Sequence, residues 1–169
     1  MESSNVSPSF VLQARLLQAA LPMGIVLFAA VTVVLYVQAR AHAPGPGPES
    51  VQLARTLSLA NAGVFAVVWI LVARFGDAVA AWGATRARVQ VGQRDEWAAR
   101  WLAGRLTLLA LPEASGLLGL VACLTAIQSG VMYVSPFYWA NMVSAAAMVA
   151  YALATLPTAA SIARAAPRG

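Results

Sequence analysis

Four stretches of this chain are too apolar to be loops and too long to be ordinary buried helices. They run over about residues 17–38, 57–75 (beginning as early as Val51), 103–127 and 137–157. A helix crosses a hydrocarbon core of about 30 Å in roughly 20 residues, so each is long enough to span a bilayer. Lipid offers no partner to a free backbone N–H or C=O, and a spanning segment that cannot close into a barrel must therefore be helical. The composition agrees, with 60% hydrophobic and only 10% charged residues, where a soluble domain carries about a quarter charged residues. The expected fold is an all-α membrane protein, one integral four-helix domain over residues 1–169. The Ala39–Ala43 sequence permits an alternative, a cleaved signal peptide with an A-x-A-like site. Its apolar part is longer than the usual h-region of about 7–15 residues.

Punctuation between the segments is of two kinds. After the first comes the Pro/Gly loop APGPGPES, in which His42 has no second histidine or cysteine beside it and reads as a solvated loop residue. After the second the sequence stays tolerant of helix until Gly92, which is suited to ending one helix, with Asp95 as N-cap of the next. Counted from that turn, each arm is about 50 Å long at 1.5 Å per residue. Part of this hairpin is therefore expected to stand outside the core.

All 11 basic residues are arginine. Arg74, Arg86, Arg88, Arg94, Arg100 and Arg105 fall around the second connection, Arg40 and Arg55 around the first, and none between the third and fourth segments. The positive-inside rule then predicts a cytoplasmic hairpin between helices 2 and 3 and cytoplasmic N and C termini (N-in/C-in), in a multi-pass protein of the cell inner (plasma) membrane. Arginines scattered at helix ends instead of along one stripe point to membrane lipids as partners and to no nucleic acid. Tyr133, Phe137, Tyr138 and Trp139 are placed in an outer aromatic belt, and Trp82, Trp97 and Trp101 in an inner one. Trp97 and Trp101 share a helix face beside Arg100 and Arg105, a set suited to the lipid interface, with Glu96 and Arg100 spaced for an i,i+4 pair.

The one feature that breaks the apolar pattern is Glu113, inside ALPEASGLLGLVACL. It lies some 15 Å into the third segment, where even the lenient insertion scale charges about 2.5–3.5 kcal/mol for an ionised side chain. Pro112 precedes it and has no N–H, so the carbonyl of Leu108 loses its usual donor. Thr107 and Ser115 are the nearest polar side chains in sequence. No arginine is level with the acid, and an uncompensated carboxyl in dry surroundings is expected to be uncharged. Asn61 and Asn141 fall nearer the outer face, placed to hydrogen bond across helices. Two small-residue rows at i,i+4 spacing, Ser115/Gly119/Cys123 and Ala146/Ala150/Ala154, are expected to let helices pack closely. Cys123 is the lone cysteine, so no intrachain disulfide can form.

Residues 94–124, which end in ALPEASGLLGLVACL and begin within the polar turn GQRDEW, resemble the polar turn and outer helix of the c subunit (proteolipid) of rotary ATP synthases. The resemblance implies that Glu113 matches the carboxylate that binds the transported proton or ion. The chain departs from that family in lacking the glycine-rich repeat of the preceding helix and the Arg-Gln-Pro of the turn, and in having extra flanking helices. It shows no nucleophile triad, no paired carboxylates, no phosphate-cradling loop and no cluster of metal ligands. A non-enzyme without cofactor or metal is expected. It would act as an accessory or assembly subunit, alone as a homo-oligomer or with other membrane subunits, or alternatively as a proteolipid-like proton- or ion-translocating subunit using Glu113.

Overall fold

A computed structural model describes residues 7–41, 43, 45–86 and 96–165. The elements are α1 (Pro8–Ala39), α2 (Pro48–Arg86), α3 (Glu96–Gln128), the single turn α4 (Val131–Val134), a 3-10 turn (Pro136–Asn141), α5 (Met142–Ala154) and α6 (Ala159–Ala165). Four of these helical stretches are long and apolar enough to cross a membrane, and among the described residues there is no strand. The anticipated turn at Gly92 and cap at Asp95, like His42, lie outside the described residues.

Prolines open two of the helices, Pro8 and Pro48, where a missing N–H costs nothing because the first turn has no acceptor for it. Two more, Pro22 and Pro112, sit buried inside α1 and α3. Helices in lipid tolerate them because neighbouring segments supply substitute partners. The chain reverses after α3 at Gly130, whose φ of 76° is a left-handed conformation that a side chain would strain.

Helix α3 is the axis of the bundle. It packs on α1, α2 and α5, most extensively on α2, and is buried around much of its circumference. The long α2–α3 contact depends on close backbone approach. A Cβ on Gly104 would run into the carbonyl oxygen of Ala80, and one on Gly83 into the side chain of Thr107. The core has two parts. Ile25, Leu109, Leu120, Ala145, Met148 and Ala152 pack between α1, α3 and α5, while Ala54, Cys123, Ala126, Ile127, Val131 and Met132 pack at the opposite end.

Polar and aromatic groups gather at two levels along the bundle. In one, side chains from α1 and α3 satisfy the carbonyls left open at the end of α5. Gln18 Nε2 donates to Ala152 O (3.0 Å) and Thr155 Oγ1 (3.2 Å), Arg105 Nη2 to Thr155 O (2.8 Å) and Arg15 Nε to Pro157 O (2.8 Å). Two cations at a helix C-terminus also oppose the negative end of its dipole. In the other plane Tyr36 stacks on Tyr133 (5.0 Å) and meets Trp139 edge-on (5.1 Å), and the Tyr133 hydroxyl donates to Tyr36 O (2.8 Å). At 1.5 Å per residue the planes are about 31 Å apart along α1 from Arg15 to Tyr36, and about 33 Å along α3 from Arg105 to Ile127. That matches the thickness of a hydrocarbon core. Past the arginine plane α3 continues for about 13 Å back to Glu96, alongside the end of α2.

Because Arg105 is a charged donor to a carbonyl at a helix end, Arg105→Met is expected to cost about 1.5–3 kcal/mol. Arg74→Met, at an exposed position, should leave stability within about 0.5 kcal/mol. Thermal unfolding of the two variants in the same detergent checks the difference.

Candidate functional site

Glu113 lies on α3 about 12 Å from the arginine plane and about 21 Å from the aromatic one, so its Cα is within the span of the core. On the helix it occupies a rim. Leu109, Pro112 and Gly116 beside it are buried, whereas Ala110, Ala114 and Leu117 face outward, and Glu113 itself is half-buried. Leu109, one turn away, belongs to the cluster containing Ile25, and a Cβ on Gly116 would lie 3.3 Å from Ile25 Cδ1. The acid therefore runs along the outer seam between α3 and α1. Among the described residues its carboxylate takes part in no hydrogen bond and no ion pair; the one ion pair there joins Arg100 to Glu96.

The supporting residues anticipated around it are not brought together. Thr107 donates back to Ala103 O (2.9 Å) and packs against Gly83 on the α2 side. Ser115, two residues after Glu113, points nearly the opposite way round the helix, and its buried Oγ has no hydrogen-bond partner among the described residues. Leu108 is buried towards Gly76 of α2.

On α3 the small residues Ser115, Gly119 and Cys123 are all buried. A Cβ on Gly119 would collide with Asn141 O and Ser144 Oγ. Cys123 Sγ lies 3.5 Å from Tyr138 O. On the fourth helix Ala146, Ala150 and Ala154 face outward, away from the bundle, and Ala145, Met148 and Ala152 face α3. A helix that is apolar on every side carries no record of which face turns inward, and the approach of α3 selects it.

The two asparagines do meet. Asn61 Nδ2 donates to Asn141 Oδ1 (3.1 Å), and Asn141 Nδ2 donates to Ser58 Oγ (2.8 Å) and Tyr138 O (2.9 Å). This polar knot joins α2 to the 3-10 turn within the aromatic half of the bundle. Sequence reasoning did not find the capture of the α5 carbonyls by Arg15, Gln18 and Arg105, since an arginine near a helix end reads as a topology signal. Of the anticipated interface set, Trp101 is half-buried with Arg105 6.0 Å from its ring, while Trp97 lies about 12 Å beyond the Arg105 level.

Comparison with protein-family models, with curated proteins and with solved structures found no match.

Proposed function

We propose that this chain is a non-catalytic, multi-pass subunit of a larger assembly in the inner membrane, oriented with the arginine plane and both termini in the cytoplasm. The observation that carries the reading is the half-exposed Glu113, presented sideways at bilayer depth with no partner among the described residues. A carboxyl left against lipid is unfavourable by a few kcal/mol if ionised, and even the neutral acid has an O–H without an acceptor. A second helix docking over the α1–α3 seam relieves both terms by one interhelical hydrogen bond. Ala110 and Ala114 beside the acid are small enough to admit such a helix.

The same placement favours a second reading, in which Glu113 takes and releases a proton or ion at the boundary with a neighbouring chain. Two substitutions separate the readings. In the assembly reading Glu113→Gln keeps a hydrogen-bonding group and the assembly survives, whereas Glu113→Leu weakens association by about threefold to twentyfold, the range for one interhelical hydrogen bond. Under the transport reading Glu113→Gln assembles normally but abolishes proton flux in proteoliposomes and carbodiimide labelling of the site. Cross-linking in native membranes that finds only monomer would overturn both.

A further inference from the structure

On the side of the bundle away from Glu113, α2 and α5 splay apart. They are bridged by Trp69 set edge-on against Tyr151 (5.3 Å). Between that bridge and the aromatic plane lies a cleft of about 590 Å³, walled by Leu59, Ala62 and Phe65 of α2 and by Phe137 and Val143 opposite. Its floor is the Asn61–Asn141–Ser58 knot, in which both amide N–H groups of Asn141 and one of Asn61 are given to acceptors within the chain. The remaining acceptor, Asn61 Oδ1, has no accessible surface, so the cleft offers an occupant apolar walls and little else. The exception is at its mouth, where Arg55 is exposed and makes no ion pair among the described residues. Ala54, the preceding residue, packs in the cluster with Tyr36, Tyr133 and Trp139, which places the Arg55 charge at headgroup level.

We propose that this cleft binds one acyl chain of an anionic phospholipid whose phosphate is held by Arg55. Depth and charge together identify the occupant, because a lipid is the molecule that puts a negative charge at the interface and a hydrocarbon chain directly beneath it. A partner helix fits less well, since helix docking in lipid uses continuous rows of small residues, and here Ala62 and Ala140 are flanked by the bulk of Leu59, Phe65, Phe137 and Val143. The site is independent of Glu113 and of the role given to it.

Native mass spectrometry of the full chain released from nanodiscs containing phosphatidylglycerol and phosphatidylcholine tests the site. The wild-type protein is expected to retain phosphatidylglycerol preferentially, with the preference eroding at about 1 M salt. Arg55→Gln should lower that preference about fivefold, the value of one surface cation near an anionic headgroup. Ala62→Trp, at an outward-facing position, should fill the cleft and remove retention of both lipids without altering size in detergent. Equal retention of the two lipids by wild type, or unchanged retention in Ala62→Trp, would overturn the proposal. So would dissociation of an oligomer by Ala62→Trp with lipid retention intact, which would assign the cleft to a second copy of the chain.

Discussion

Replacing Gly104 with alanine is expected to destabilise the protein by about 2–3 kcal/mol. The added Cβ would occupy the space of the Ala80 carbonyl oxygen, a backbone atom that no rotamer change can move aside. To accept it, α2 and α3 must separate along the stretch that also seats Gly83 against Thr107 and Gly76 against Leu108. Overpacking a close-fitted interface typically costs about 1–3 kcal/mol, and a backbone clash belongs at the upper end. Gly63→Ala is the control, because nothing lies within 4 Å of its Cβ position and the substitution favours the helix by about 0.5–1 kcal/mol. Unfolding by denaturing detergent, followed by tryptophan fluorescence, should move the two midpoints in opposite directions. Equal midpoints would mean that α2 and α3 do not approach as closely as described.

The second large effect is expected at Asn141. Truncation to alanine removes the acceptor of Asn61 Nδ2 and the donor to Ser58 and Tyr138 O, leaving Asn61 buried with neither amide atom bonded. Interhelical hydrogen bonds in membranes average about 0.6 kcal/mol and reach about 1.7, while an orphaned buried polar group costs about 1–3. A loss of about 2 kcal/mol is therefore expected for Asn141→Ala. The double variant Asn61→Ala/Asn141→Ala should be less destabilised than the sum of the two single changes, because removing both partners orphans nothing. Additive losses in such a cycle would show that the two amides are not coupled.

How much of this was legible follows from what each feature depends on. The four crossings were legible because length and hydropathy, set within one segment, decide whether a helix can live in lipid. Asn61 and Asn141 stood out as polar residues in apolar runs, and their tendency to bond across helices followed from the lack of water there. Glu113 was legible as an anomaly for the same reason. That Ser115 and Thr107 turn away from it was written in the helical period, 3.6 residues per turn, but the neighbour each would meet was not.

What the sequence determined, then, is that four helices are long and apolar enough to span a membrane, where each unusual side chain falls along its helix, and how charge is distributed, since these are set within single segments. Only the tertiary structure decided which face of α5 turns inward, that Gln18, Arg15 and Arg105 close the end of that helix, and that Glu113 is left on an outer seam. Lipid tails are as apolar as leucine, so hydrophobicity cannot choose between the faces of a helix that is apolar all round. That choice falls to backbone fit at Gly104 and Gly119 and to the few hydrogen bonds that must find partners.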